Sequence, residues 1–412
     1  MSPFGVYVHI PFCARRCGYC DFVTYAVGER ASWGPDGGAV AARPAGLQPE
    51  TYATLAMREI ELAAAAHVEA LTLPTPTPLP ATRASTPPAP AQPALPPADT
   101  VYFGGGTPTL LGPKPLVSIL DAIRRSWGLA PDAEVTVEAN PDSVTERDIA
   151  ALAEGGVTRL SVGMQSASPS VLARLDRSHT PERVPDVIAW AQAAGLDTSL
   201  DLIYGTPRET MAEWCLSLDA ALACGVRHIS CYALTLEPAT PMARQIARGD
   251  LPPVDDDDLA AKYELADQVL TSAGLPWYEI SNWATPGSEC RHNLGYWRGG
   301  QWWGIGAGAH SAIGHERWWN LRHPREYGAQ VEAGNLPREG HDTLDAQARA
   351  TEHIMTRIRL AEGLPLPPPH DSTLSALATD GLIDAPALAQ NRIRLTLRGR
   401  LLADTVTRAL LT

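Results

Sequence analysis

Between residues 100 and 233 the chain repeats one rhythm, a short apolar run followed by a longer amphipathic stretch, and that rhythm limits the fold more than any other feature. Strands are predicted at 100–103, 134–138, 159–162, 198–203 and 228–233. The stretches between them carry helical periodicity near 114–127, 145–154, 168–176, 181–194 and 211–223. Strands separated by helices at this spacing imply parallel βαβ units with right-handed crossovers. An earlier apolar run, Val6-Tyr7-Val8-His9-Ile10, closed by Pro11, supplies a sixth strand. A closed (β/α)8 barrel needs eight strands. The expected architecture is therefore α/β, an open partial (β/α)6 TIM-like barrel.

Other segments break the rhythm. A helix rich in Ala, Leu and Glu is expected at about 51–71, after an aperiodic loop at 26–50. Residues 74–97 hold ten of the chain's 37 prolines, a density that suits an exposed polyproline-like insertion and no ladder or helix. From about residue 346 two helices (346–360 and 372–379), a short strand at 392–395 and a last helix predict a small, mainly α, winged-helix-like domain. The expected organisation is a barrel core over 1–285 with the Pro-rich insertion, a connecting region over 286–345, and the C-terminal domain over 346–412.

Composition narrows the function classes. With 33 Lys+Arg against 46 Asp+Glu the formal charge is −13, which argues against a broad nucleic-acid surface despite the winged-helix-like end. No apolar run reaches the ~20 residues of a membrane span. The start, MSPFGVYVHIPFC, lacks a basic region followed by an apolar signal core. Seven cysteines, three of them within eight residues, do not form a secreted disulfide pattern. A cytoplasmic location is expected.

Those three cysteines, Cys13, Cys17 and Cys20 in CARRCGYC, stand at i, i+4 and i+7 directly after the first strand. Three thiolates at a strand end suit three irons of a four-iron cubane and leave the fourth iron open. An open iron chelates the amino and carboxylate groups of S-adenosylmethionine (SAM), whose reductive cleavage yields a 5′-deoxyadenosyl radical. A zinc site wants four ligands in paired spacings. A ferredoxin site wants a fourth cysteine nearby, and here Asp21 and Phe22 follow. Cys215, Cys224 and Cys231 are expected as core thiols. Further along, Gly104-Gly105-Gly106-Thr107 follows the second strand, Glu138 ends the third, Gln165 follows the fourth and Asp201 lies in the fifth. Glycine lets backbone approach a ligand, and polar groups gathered at the carboxyl ends of barrel strands mark a shared site.

The runs YVHIPFCARRCGYCDF, YFGGGTPTLL, VTVEANP, RLSVGMQS, LDLIYGTP and YEISNWA resemble the oxygen-independent coproporphyrinogen III oxidase family of radical SAM proteins. The resemblance runs from about residue 5 to 320, and more weakly through RIRLTLRGRLLAD. It implies that Cys13, Cys17 and Cys20 ligate a [4Fe–4S] cluster. It further implies that Tyr7, Tyr19, Gly105, Gly106, Thr107, Glu138, Gln165, Arg177, Asp201 and Ala233 line the SAM site. An electron donor of the flavodoxin or ferredoxin type goes with that chemistry.

Two branches of this family compete. The oxidase branch decarboxylates two propionates of coproporphyrinogen III. The other branch binds heme as cargo and hands it to recipient hemoproteins, membrane-bound respiratory ones among them. Oxidases carry a further cysteine where this chain has Phe22, and an N-terminal arm longer than the few residues before its first strand. Residues 290–297, CRHNLGYW, hold a His-Asn-x-x-Tyr-Trp pattern that resembles the heme-chaperone branch. His292, Asn293, Tyr296 and Trp297 are therefore candidate heme contacts, as is His310 in GIGAGAHS. From residue chemistry alone His292 also fits a partly exposed loop histidine bonded to its neighbours. The heme-carrying branch is expected, with no catalytic residue assigned. A structural iron–sulfur protein without SAM chemistry, or a redox regulator contacting DNA, is the alternative outside the family.

Overall fold

The structure, a computed structural model, describes residues 3–26, 49–72, 95–365 and 372–411. One twisted sheet of twelve strands organises them. In chain order its strands are β1 (Phe4–Ile10), β2 (Ala98–Gly105), β3 (Leu129–Ala139), β4 (Arg159–Gln165), β5 (Asp197–Tyr204) and β6 (His228–Ala233), then β7 (Trp277–Glu279), β8 (Asn282–Ala284), β9 (Gln301–Ile305), β10 (His310–Ile313), β11 (Glu316–Asn320) and β12 (Arg338–Thr343). Their spatial order is β12-β11-β10-β9-β1-β2-β3-β4-β5-β6-β8-β7. Strands β9 and β1 through β6 pair in parallel. The outer strands are antiparallel. The six-strand open barrel is present as expected. The sheet runs on past both of its edges, which the sequence pattern did not announce.

The crossover helices are α1 (Pro49–Thr72), α2 (Pro113–Ser126), α3 (Glu146–Glu154), α4 (Pro169–Arg174), α5 (Arg183–Ala193) and α6 (Met211–Ala223). Several begin where their caps dictate. Thr145 accepts from the Asp148 amide while Asp148 returns a bond to the Thr145 N–H, a capping box. Thr210 and Glu213 do the same for α6. Helices α7 (Pro241–Ala247) and α8 (Asp256–Ser272) follow β6, α9 (Arg291–Trp297) joins β8 to β9, and α10 (Pro324–Glu332) precedes β12. The last 67 residues fold, where described, into α11 (Ala346–Arg357), α12 (Ser372–Thr379), α13 (Ala385–Ala389), α14 (Leu397–Leu401) and α15 (Ala403–Leu411), with an antiparallel ribbon pairing 364–365 with 392–393. Among the described residues no helix is long and apolar enough to cross a membrane. The expected Pro-rich insertion and most of the 26–50 loop lie outside the described residues.

Alternation along each strand decides where the apolar core sits. Val6, Val8, Val101, Phe103, Val135, Val137, Leu160, Leu200 and Ile229 point outward, all buried beneath the helices. Their neighbours in register point inward and are polar: Tyr7 faces Tyr102, Glu138 faces Ser161, and Asp201 faces Ser230. A barrel filled with branched aliphatics would be a packed plug. This one has its greasy layer outside and a polar interior, the arrangement a ligand-binding barrel needs.

Two polar ties hold the outlying parts to the core. Glu59 of α1, fully buried, accepts bonds from the Gly306 N–H (2.7 Å), the Asn320 amide (2.6 Å) and the Tyr327 hydroxyl (2.7 Å). It fastens α1 to the β9–β11 extension, and burial pushes its carboxyl up to about 7. Arg400 of α14 makes a bidentate pair with Asp267 of α8, both bonds 2.7 Å, and lies 4.3 Å over the Trp277 ring. That buried fork docks the C-terminal helices on the barrel.

Candidate functional site

The cysteine loop is built by short-range closure. Tyr25 donates its N–H to the Pro11 carbonyl (2.7 Å), and residues 12–13 pair with 25–26, so the segment between them returns on itself. The glycine run at the end of β2 then lashes to it, Gly106 N–H to Ile10 O at 2.8 Å and Thr107 N–H to Phe12 O at 2.6 Å. This approach is possible only without side chains. A Cβ on Gly106 would fall within 2.9 Å of the Phe12 carbonyl carbon and 3.0 Å of Cys13 Sγ. Gly105 has φ +113°, and a Cβ there would meet the His9 ring at 2.6 Å. His9 supports the loop from below, its Nε2 2.8 Å from the Val23 carbonyl and its Nδ1 3.1 Å from the Tyr7 hydroxyl.

Cys13 is buried, while Cys17 and Cys20 are partly open. Burial pushes the Cys13 thiol up to about 12, and proximity to Cys20 and Cys17 adds to it. Among the described residues no three His, Cys, Asp or Glu side chains close on a point fit for one metal ion. Arg177 brings charge to the thiols, with Nη1 3.8 Å from Cys17 Sγ while Nη2 donates to the Gly163 carbonyl (2.8 Å) and to Asn140. Asn140 in turn reaches Thr107 Oγ1 at 3.4 Å. The loop's tip is docked by Met242 N–H to Gly18 O, 2.9 Å, and Tyr19 packs against the cluster of Val171, Leu175, Ile203, Leu234 and Met242.

Below the loop lie the carboxylates. Glu138 accepts from the Gly105 N–H (3.1 Å) and the Tyr102 hydroxyl (2.8 Å), and burial, reinforced by Asp201, pushes it up to about 7. Asp201 accepts from Ser161 (2.9 Å) and Ser230 (2.7 Å), and burial raises it as well. Gln165 ends β4 in the left-handed region, φ +61°, a conformation non-glycine residues adopt seldom and at a cost. Ala233 closes β6 opposite Tyr204. Of the expected SAM-lining residues, Gly105, Glu138, Gln165 and Ala233 lie at the carboxyl ends of their strands, whereas Tyr7 and Asp201 sit mid-strand and line the barrel interior. Asn140, which links Arg177 to Thr107, was not singled out from sequence. Its signal was the Asn-Pro turn that follows β3.

The five heme candidates are not brought together. Helix α9 closes the N-terminal floor of the barrel, with the Arg291 and His292 N–H groups on the Glu134 carboxylate at 3.1 and 3.0 Å. His292 is buried on that helix, which corrects the partly exposed loop position weighed for it. Its Nδ1 is 2.7 Å from Thr100 Oγ1, its Nε2 2.7 Å from the Tyr296 hydroxyl, and its ring stacks on Tyr102. Burial pushes it down to about 3, so the imidazole is neutral. Asn293 donates to Glu279 (3.1 Å), and the Trp297 Nε1 is buried with no partner among the described residues. His310 is elsewhere, exposed on β10 with its ring against Trp319. Of the expected core thiols Cys231 is buried, whereas Cys215 and Cys224 are half-buried.

Two cavities result. One of about 220 Å³ fills the barrel interior, lined by Glu138, Asp201, Arg159, His228 and His292 among others. Thr136 Oγ1, Arg159 Nη2 and His228 Nδ1 are buried there without partners. The other, about 1050 Å³ and half open, lies between the cysteine loop and the sheet extension, bounded by Cys17, Cys20, Phe22, Trp302, His310 and Arg322. Tyr7 and Tyr296 touch both.

Comparison with known proteins gives three findings. Residues 92–221 match the family described as the Radical SAM superfamily. The chain is 45% identical to "Heme chaperone HemW" of Mycobacterium tuberculosis (strain H37Rv), covering 100% of this chain and 95% of that one. It is 33% identical to "Heme chaperone HemW" of Escherichia coli (strain K12), over 89% and 85% of the two chains. Among solved structures, coproporphyrinogen III oxidase (HemN) from Escherichia coli superposes with TM-score 0.76 at 20% identity, over 100% of this chain and 90% of that one, a likeness of fold.

Proposed function

The chain belongs to the HemW family of radical SAM proteins, and from that premise we propose that it is a heme carrier, holding a [4Fe–4S] cluster and SAM and handing heme to recipient hemoproteins. What carries this reading is the match to a heme chaperone along the whole chain. Phe22, exposed at the cavity where an oxidase has cysteine, agrees with it.

The residues fit the cluster. Its donors are three thiols on one loop, Cys13 buried and Cys17 and Cys20 partly open. A cubane spreads its ligands over separate irons. Cys13, Cys17 and Cys20 would ligate it, and Gly106 leaves room where any Cβ would press on Cys13. When bound, the cluster supplies the electron that cleaves SAM. This chain's own part is to bind and orient. Arg177, beside Cys17, would pair with the methionyl carboxylate, backbone of Gly105 through Thr107 would line the amino-acid end, and Glu138 and Asp201 would hold ribose hydroxyls or a neighbouring proton. Tyr19 and Ala233 would flank the adenine. A flavodoxin- or ferredoxin-like donor, a cytoplasmic location and recipients that include membrane-bound hemoproteins complete the proposal.

The test uses anaerobically reconstituted protein mixed separately with heme and with coproporphyrinogen III. The carrier reading expects a heme Soret band that survives desalting and no decarboxylated porphyrinogen. Efficient conversion of the porphyrinogen, with no heme retained, contradicts it.

A further inference from the structure

Resting on the carrier reading, we propose that heme seats in the 1050 Å³ cavity beside the cysteine loop with His310 as its axial ligand, and that His292 is a floor residue which does not touch the iron. An axial imidazole needs a free ring nitrogen facing space that admits a porphyrin. Four histidines border the two cavities. His9 has both ring nitrogens engaged, by Val23 and Tyr7. His228 and His292 face the interior cavity of about 220 Å³, below even the ~300 Å³ typical of small-molecule pockets. His292 is also held at both nitrogens by Thr100 and Tyr296. Freeing it would break those bonds and open the stack on Tyr102.

His310 meets each requirement. It lines the larger cavity, and among the described residues no hydrogen bond reaches its ring. Its ring stacks on Trp319, with 6.0 Å between centroids and 27° between planes. The rest of the wall suits the cargo. Phe22, Trp302 and Tyr296 offer flat apolar surface. Arg16, Arg244 and Arg322 stand on the same wall against Asp21 and Glu237, a local excess of positive charge in a chain of net −13. Guanidinium groups pair well with carboxylates, so the propionate edge belongs on that side.

Cluster-reconstituted protein titrated with hemin tests the seat, using wild type, His310→Ala, His310→Cys and His292→Ala. His310→Ala is expected to lose the histidine-ligated spectrum and weaken binding by more than the ~10-fold that even an outer partner of a metal ligand contributes. His310→Cys is expected to gain a thiolate-ligated Soret and EPR signature, which a merely damaged fold would not produce. His292→Ala is expected to keep the wild-type heme spectrum at a lower Tm. Wild-type spectrum and affinity in His310→Ala, or loss of the axial signature in a folded His292→Ala, overturns the seat alone. A wild type that binds no heme overturns the carrier reading and the seat together.

Discussion

Replacing Gly106 by alanine adds one methyl group at the closest contact between the glycine run and the cysteine loop. Its φ is not in the left-handed region, so the substitution costs nothing in backbone conformation. The cost is contact. The new Cβ would lie 2.9 Å from the Phe12 carbonyl carbon and 3.0 Å from Cys13 Sγ, and a backbone carbonyl has no rotamer with which to escape. Either the loop stays and bears overpacking of about 1–3 kcal/mol, or it lifts. Lifting weakens the bonds from Gly106 to Ile10 and Thr107 to Phe12, each worth about 1 kcal/mol. Both routes cost about 2 kcal/mol, a small loss of Tm in a chain this large but a displacement of the buried thiol itself. Gly106→Ala is therefore expected to keep its circular dichroism and most of its Tm while iron and sulfide per chain after reconstitution fall well below wild type. Gly112→Ala is the control. It places alanine at φ +79° with open space around it, so it carries backbone strain without touching the loop. Full iron loading in Gly106→Ala would refute the claim that this contact sets the cluster loop.

Two further predictions concern the ties around the barrel. Glu59 is raised from 4.5 to about 7 by burial, so between those values the unfolded chain has released a proton that the folded chain retains. Stability contributed by its neutral form therefore falls as pH rises through that window; Glu59→Gln is expected to flatten the fall by an amount on the order of 3 kcal/mol, read from urea unfolding at a series of pH values, and an unchanged slope would count against it. Arg400→Ala leaves Asp267, partly buried, with only the Trp283 indole as partner among the described residues, a loss toward the lower end of the ~3–5 kcal/mol of a broken buried pair; limited proteolysis is expected to release the C-terminal helices before the barrel is cut, and cleavage at wild-type rates would show that the fork does not dock them.

The six barrel strands could be read from sequence because their outward faces are apolar and their helices carry the caps that start them, Thr145 with Asp148 in particular. The sheet extension could not. Strand β12, Arg-Glu-Gly-His-Asp-Thr, is almost wholly exposed and polar, so it gives no period for burial to impose. Helix α8 did carry signals, an Asp255 cap and acidic residues in its first turn, that went unused. The cysteine spacing marked the loop, since its ligands are local. The groups that prepare it are not: Arg177 reaches Cys17 across 160 residues and Glu138 reaches Gly105 across 33. The heme motif shows the same limit. His292, Asn293 and Tyr296 form a compact motif in sequence, yet α9 turns them into the barrel floor through Glu134 and Thr100, distant in the chain, and through the nearer Glu279. His310, in GIGAGAHS, lines the larger cavity with its ring against Trp319.

The central claim is that this chain carries heme to be given away, and transfer measures it directly. Protein loaded with hemin and desalted would be mixed with increasing concentrations of a respiratory apo-hemoprotein, and the recipient's Soret band followed in time. The transfer rate is expected to rise with recipient concentration, because handover occurs within a complex. A rate independent of the recipient, equal to that with an unrelated heme scavenger, would contradict it.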